Sequence, residues 1–339
     1  MRLRRSDVAG PGWRRTRHGR GFTYRDASGG VVDAADRERV KALAIPPAWR
    51  DVWISPYANG HIQAVGTDDA GRRQYLYHAR WHEQRDVEKY ARVLGMAGVL
   101  PGFREEVVRS MSASGLGRDR VLAVALFLLD RGVFRVGGES YQQDNGSHGV
   151  ATLLRSHVVV RSDVVDFRYP AKSGIEFDRC VEDVGLAGVV RSLRRSRSGS
   201  DRLLVYREGR RWCEVHSEEV NERFKEMVGE GYSVKDLRTW HGTVFAAVAF
   251  AKVVLEKGER PESGRGVSRV EAAVMREVAE ELGNTAAVAR RSYVDPRVVE
   301  GFEEGRTVVR ALRKVEGELG SEEARRVVER GVVRLLKGK

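Results

Sequence analysis

The chain is 339 residues long, enough for about two domains, and 41 % of it is apolar, so a folded core is within reach and wholesale disorder is excluded. The 60 Lys and Arg outnumber the 48 Asp and Glu to leave a net +12, a balance that favours an anionic partner, nucleic acid before a membrane surface. Two cysteines, Cys180 and Cys213, are too few for a disulfide scaffold and are not spaced as CxxC, which argues for a reducing compartment and against structural zinc.

No apolar run approaches the ~18–20 residues of a membrane span. The opening "MRLRRSDVAG" is basic with no apolar segment behind it, so no secretory leader is expected and the cytoplasm is the expected location. From about residue 20 to 85 the signals are short strands: "FTYRD", "VVD", "VWISPY", "IQAVGTD" and "RQYLYH", punctuated by Pro56, Asn59-Gly60 and Asp68–Gly71. "IPPAW" (45–49) reads as an extended, rigid step between them. Tyr75 and Tyr77 alternate onto one face of a strand, with Arg72 and Arg73 beside them; such a face can meet base edges and phosphates, or simply pack on a neighbour.

Helical periodicity follows. "EQRDVEKYARVLG" is amphipathic, and "DRVLAVALFLLDRGVF" is apolar nearly all round, as a buried helix should be. Strand signals then return: "SDVVDFRY" and "GIEFDR" flank the turn "PAKSG", and "RLLVYREGRRWCEV" folds back at Glu208-Gly209. "RSLRRSRSGSDR" (191–202) is the best candidate for a mobile basic loop. From Ser217 the chain is mainly helical. "TWHGTVFAAVAFAKVVLEKG" should be buried, "SRVEAAVMREVAEELG" opens with a Ser268/Glu271 capping box and stops at Gly283, and the last helix begins near Ser321. These signals predict an α+β protein: a small β-rich N-terminal domain over 1–88, and a larger, mainly helical catalytic domain with a small sheet over 89–339.

Several chemistries lack a seat. There is no GxxxxGK[ST] loop for ATP, and no DxD cluster or HExxH for a metal. His78 and His82 have ligand spacing on a helix, but no third ligand lies near in sequence. Tyr293 is the residue that prompts a question, because it follows Arg290 and Arg291 just beyond a helix stop. A surface tyrosine among arginines is ordinary; a nucleophilic one needs particular company. Free tyrosine has a pKa of about 10. Cations around it favour the phenolate, hold a phosphodiester and stabilise the charge that develops during attack. Arginine suits this because its planar fork bonds two phosphate oxygens and keeps its proton. The departing alkoxide needs a proton, which lysine can supply. Each ingredient has a suggestive setting: Arg135 in "FRVGGESY", where glycines permit close backbone approach, Lys172 at the tip of "PAKSG", Arg238 in "KDLRTWHGT" at a helix start, and Asn284 after Gly283.

The order and spacing of these pieces resemble the type IB DNA topoisomerases, specifically the small poxvirus-like bacterial group, over about residues 20–315. The most specific stretch is "RVGGESYQQDNGSHGVATLLRSHVVV" followed by "VVDFRYPAKSGIEF", then "VKDLRTWHGT" and "LGNTAAVARRSYVDP". The resemblance implies Tyr293 as the nucleophile of a 3′-phosphotyrosyl link, Arg135 and Arg238 as a clamp on the scissile phosphate, and Lys172 as the acid for the leaving 5′ oxygen, helped by Lys235. Asn284 stands where many relatives carry a histidine; it keeps the donor and loses the titratable charge. Gln74, Tyr75 and Tyr77 would face the DNA groove, with Arg72, Arg73 and Tyr141 as further contacts. The implied protein is a monomeric clamp on duplex DNA that relaxes supercoils without ATP, metal or other cofactor. Tyrosine recombinases share this logic, but usually carry His-x-x-Arg where this chain has Lys235-Asp236-Leu237-Arg238, and a helical rather than strand-rich N-terminus. A non-enzymatic nucleoid-type binding protein would explain the charge and little else.

Overall fold

The computed structural model describes residues 1–131, 134–139, 146–315 and 320–338; Tyr141 lies outside them. The chain divides into two compact units, Met1–Tyr90 and Ala91–Lys339.

The first unit is an antiparallel sheet in the order β2-β1-β3-β4-β5, from β1 (Trp13–His18), β2 (Gly21–Arg25), β3 (Arg50–Ile54), β4 (Ile62–Thr67) and β5 (Arg73–Tyr77). One face buries Trp13, Val52, Ile54 and Ala64 against Val40 of helix α1 (Ala34–Ala42). The other buries Trp53, Ile62 and Val65 against Tyr77 and Val8. Two elements carry no sequence signal of the kind used above. β1 is WRRTRH, whose arginines mask any alternation, and the expected "VVD" strand reduces to a bridge from Val31 to Arg25, with α1 beginning directly after it. Asp33 caps α1 by accepting from the Asp36 N–H, so the chain turns into helix where that strand would have continued. "IPPAW" is a turn, not an extended step: Trp49 N–H donates to Pro46 O at 3.1 Å.

The boundary between the units falls within helix α2 (Ala79–Ala97). The second unit is built around α4 (Arg118–Arg131), in which every residue from Val121 to Asp130 is buried, as its all-round apolar sequence requires. α3 (Leu100–Met111) precedes it. β6 (Val158–Arg161), β7 (Val164–Pro170) and β8 (Glu176–Glu182) form an antiparallel sheet, followed by α5 (Val184–Arg194) and the hairpin β9 (Val205–Glu208) and β10 (Arg211–Glu214). The basic loop between α5 and β9 is pinned: Arg155 donates to Ser196 O, Ser196 Oγ and Ser198 Oγ.

Helices complete the unit: α6 (Ser217–Val228), α7 (Val234–Lys257), α8 (Gly264–Leu282), α9 (Pro296–Glu303), α10 (Val309–Arg313) and α11 (Glu322–Leu336). α8 starts before the Ser268/Glu271 box. Ser263 caps it by accepting from the Gly266 N–H, and Ser268 sits inside the helix. It ends as expected at Gly283, in the left-handed region at φ 57°, with the Asn284 N–H returning to Ala279 O at 2.8 Å. The α+β expectation, a small sheet-bearing unit and a larger helical one, is what the chain adopts.

Candidate active site

Arg135, Lys172, the Lys235/Arg238 turn and Tyr293 come from four separate segments and line one cavity of about 500 Å³, together with Gly138, His148 and Glu218. Arg135 follows α4 on an irregular stretch that pairs, strand-like, with residues 149–151: Val150 N–H donates to Arg135 O and Ala151 N–H to Val136 O, both at 2.8 Å. Gly137, at φ 76°, faces Gly149 so closely that a Cβ on either would lie within 2.8 Å of the other's backbone. These glycines therefore serve a backbone-to-backbone approach that seats Arg135. Phe134, fully buried against Phe167 and Phe177, anchors the same stretch.

Lys172 sits in the turn that joins β7 to β8, exposed, with Gly174 at φ 72° closing the turn. His148 N–H donates to Pro170 O at the base of this hairpin, so the Arg135 segment and the Lys172 segment share a strut. The His148 ring is held by Nδ1 against Thr152 O at 2.7 Å, and its edge meets His157. Burial, then the His148 neighbour, pushes the His157 imidazole down to about 4.

Helix α7 supplies Lys235 and Arg238. Ser233 and Asp236 form its capping box, and Asp236 is gripped by Arg92 at 3.0 Å, which fixes the turn that bears Lys235 and Arg238. Arg238 is only 6 % exposed. Its Nη2 donates to Leu282 O at 2.5 Å, and its guanidinium carbon lies 5.5 Å from the Tyr293 ring centroid. Arg135 Nη2 donates to Gly283 O and Asn284 Oδ1, each at 2.8 Å. Both guanidiniums thus sit at the carbonyl-rich end of α8. Burial and the Arg135 charge push Arg238 down to about 10, partly offset by Tyr293, and burial lowers Arg135 as well; both remain cations at neutral pH. Because arginine only donates, Asn284 must turn its oxygen to Arg135. Its Nδ2 is then a buried donor with no partner among the described residues.

Tyr293 ends a wide π turn, Ala289–Tyr293, closed by Val294 N–H to Ala289 O at 3.1 Å. Thr243 Oγ1 lies 3.2 Å from Tyr293 O and accepts from Asp295 N–H at 3.1 Å. A Cβ on Gly242 would come within 2.8 Å of Tyr293 O, so this helical glycine makes room for the tyrosine. The two arginines beside Tyr293 in sequence turn elsewhere: Arg290 pairs with Glu271 at 2.7 Å, and Arg291 is exposed. Sequence reading missed His148, Gly242 and Thr243, whose roles come from what folds against them and leave no local signature.

On the first unit, Tyr75 and Tyr77 share a face of β5 with ring centroids 6.0 Å apart, Tyr77 stacks on Trp81, and Arg73 lies over Tyr75. Gln74 falls on the opposite face and donates to Asp68, which also pairs with Arg72. The structure therefore groups Arg73 with the tyrosines and separates Arg72 and Gln74 from them.

Two families match in tandem: the bacterial DNA topoisomerase IB N-terminal domain over residues 21–68, and the eukaryotic DNA topoisomerase I catalytic core over residues 78–313. The fold, with these matches, defines an enzyme of the DNA topoisomerase class, an isomerase. More narrowly, the chain belongs to the type IB DNA topoisomerases. DNA topoisomerase 1B of Acanthamoeba polyphaga mimivirus is 27 % identical over 270 residues, 78 % of this chain and 79 % of the viral protein. DNA topoisomerase I of monkeypox virus and DNA topoisomerase 1B of vaccinia virus (strain Copenhagen) are each 21 % identical over 237 residues, 70 % of this chain and 71 % of theirs. Among the described residues, no helix is long and apolar enough to cross a membrane.

Proposed function

We propose that the cavity performs the strand exchange of a type IB topoisomerase on duplex DNA, with Tyr293 as nucleophile. The Tyr293 phenol gives up its proton to solvent, its oxygen attacks a backbone phosphorus, a 3′-phosphotyrosyl bond forms, and the bond from phosphorus to the 5′ oxygen breaks. Lys172 protonates that oxygen and Lys235 adds positive potential. Arg135 and Arg238 hold the nonbridging oxygens, exchanging carbonyl partners for phosphate oxygens of higher charge. Asn284 Nδ2 supplies a neutral donor. The reverse reaction reseals the strand, and because one phosphodiester replaces another no ATP is required. Residues 1–88, nearly the whole of the first unit, serve as the DNA-binding domain, with Arg73, Tyr75 and Tyr77 as the grouped contacts and Arg72 and Gln74 as further ones; Tyr141 of the catalytic domain is a further contact. The protein acts as a monomer on cytoplasmic, nucleoid-associated DNA.

The observation that carries this reading is the convergence of two arginines, two lysines and one tyrosine on a single cavity. The test is Tyr293→Phe. The variant should bind duplex with unchanged affinity, yet neither relax supercoiled plasmid nor form a denaturation-resistant adduct; relaxation retained by this variant removes Tyr293 from the role.

A further inference from the structure

The second unit contains a buried charge cluster that the mechanism above does not use. Arg104 of α3, Asp130 of α4 and Glu329 of α11 are 6 %, 4 % and 7 % exposed. Arg104 bonds Asp130 at 2.9 Å and both Glu329 oxygens at 2.7 and 2.8 Å. Arg325 of α11 donates to both Asp130 carboxylate oxygens at 2.8 Å and to the Asp130 main-chain oxygen at 3.1 Å. From α7, Trp240 Nε1 donates to Glu329 at 3.1 Å, and His241 Nε2 lies 3.2 Å from Asp130 Oδ1. Two cations and two anions balance around a buried imidazole.

Stability alone is a poor reason for such a cluster. Removing four charges from water is costly, and apolar residues of similar volume often serve a core as well or better. A dense set of directional bonds does something apolar packing does not: it admits one rotation and one axial register of each helix. The elements so fixed are informative. Asp130 lies in the last turn of α4, five residues before Arg135, and Arg325 also caps that helix through the Asp130 carbonyl. Trp240 and His241 lie within one turn of Arg238 on α7, and the following residues, Gly242 and Thr243, are those against which Tyr293 rests. The end of α4 and the beginning of α7 are joined by the His241–Asp130 contact, and both are bolted to α11, which lies beyond the matched catalytic core.

We infer that the C-terminal helix α11 is a positioning element of the active site: Arg325 and Glu329, through Asp130, Trp240 and His241, set the spacing and aim of Arg135 and Arg238. This rests on the reading of those two arginines as the phosphate clamp. Arg325 and Glu329 touch no reacting atom. Their effect belongs in the rate of the chemical step and not in duplex affinity, because only the geometry of the clamp changes.

The test measures single-turnover cleavage at saturating duplex, duplex Kd and Tm for Arg325→Leu, Glu329→Gln and Val332→Ala, at a temperature well below every Tm. Val332→Ala is the control, since Val332 is a fully buried apolar residue of the same helix. Arg325→Leu should slow cleavage by ~10-fold or more with Kd within about twofold, Glu329→Gln by about threefold, and Val332→Ala by less than about twofold despite a lowered Tm, as expected when sub-ångström clamp geometry governs the rate. In an Arg135→Ala background the Arg325→Leu effect should shrink, because one clamp member is already gone. Cleavage by Arg325→Leu equal to wild type, or no slower than Val332→Ala, or fully additive with Arg135→Ala, overturns the inference. If Arg325→Leu does not fold, Glu329→Gln is judged by the same comparisons. Near-wild-type cleavage by Arg135→Ala itself would instead overturn the clamp reading.

Discussion

The two units spend arginine in opposite ways. In the first unit Arg14, Arg17, Arg20 and Arg25 lie exposed on the β1–β2 hairpin, with Arg14 directly opposite Arg25 across the strands. In the second, Arg238 is buried and Arg135 half-buried at the carbonyl end of α8, close enough that the charge of Arg135 lowers the pKa of Arg238. Exposed guanidiniums are cheap to keep, screened by salt, and indifferent to where along a phosphate backbone they land. Buried ones are already stripped of water and aimed, so little reorganisation remains when charge develops between them. On the function proposed above, the same residue type would give affinity in one unit and rate in the other, and the two contributions should separate experimentally.

The largest separation is expected for the clamp. Arg135→Ala or Arg238→Ala should slow cleavage by at least ~10²-fold, as loss of an oxyanion donor does elsewhere, with duplex Kd little changed. Single-turnover cleavage against binding isotherms measures this. Equal losses in both would mean that the buried arginines act as ordinary binding charges. Next comes Gly242→Ala. The added methyl would press on the Tyr293 carbonyl, so cleavage should fall by about tenfold, as for a slightly misplaced nucleophile, while Kd and the circular-dichroism spectrum stay unchanged. A wild-type rate would show that the π turn yields without moving the phenol.

How much of this contrast was legible follows from what each residue depends on. Lys172 could be read because its place is local: alternating strands on both sides and a Pro/Gly turn between them make a hairpin tip. Gly283 likewise announced the helix stop that exposes carbonyls to Arg135 and Arg238. The buried cluster was not legible. Arg104, Arg325 and Glu329 each look like solvent-face charges of an amphipathic helix, and Arg104 meets Glu329 across 225 positions of sequence. β1 was missed for the reverse reason: its exposed arginines overwrite the apolar alternation by which a strand is recognised. The resemblance grouped Gln74 with Tyr75 and Tyr77, whereas the two-residue period of the strand puts it on the other face, bonded to Asp68.

A smaller effect tests the buried side by pH. Burial holds the His241 imidazole below its ordinary 6.5, partly offset by Asp130, and His157 lies at about 4. The native state therefore keeps both neutral, while the unfolded chain takes up protons below about pH 6.5. Protons then favour unfolding, so stability is full above 6.5 and declines as pH falls toward 4. Asp130 and Glu329, whose cationic partners hold both carboxyls below the usual range despite burial, add to the loss only as pH nears their unfolded values of 3.8 and 4.5, at the foot of this range. Tm measured from pH 7.5 to 4.5 should fall less steeply in His241→Gln than in wild type; parallel curves would assign the acid response to other groups. On the exposed side, Arg73→Ala should reduce the slope of log Kd against log salt by about one, the signature of a single phosphate contact, and leave saturated cleavage untouched.

The smallest effect is the most diagnostic of the comparison itself. Like charges directly opposite on neighbouring strands destabilise a sheet by roughly 0.2–1 kcal/mol, and Arg14 and Arg25 are such a pair. Arg25 also donates to Gly29 O at 2.8 Å, an exposed bond whose loss takes back part of any gain. Arg25→Thr, which puts a β-branched residue on the strand, should therefore raise stability by a few tenths of a kcal/mol at low salt, with the gain fading in high salt as the repulsion is screened. The same change should weaken duplex binding slightly. A hairpin that becomes more stable but binds less well would mean that its charge density is held against the interest of the fold, for the sake of a polyanion. If stability falls instead, Arg25 is there for the turn it bonds, and the exposed arginines of the first unit are partly structural after all.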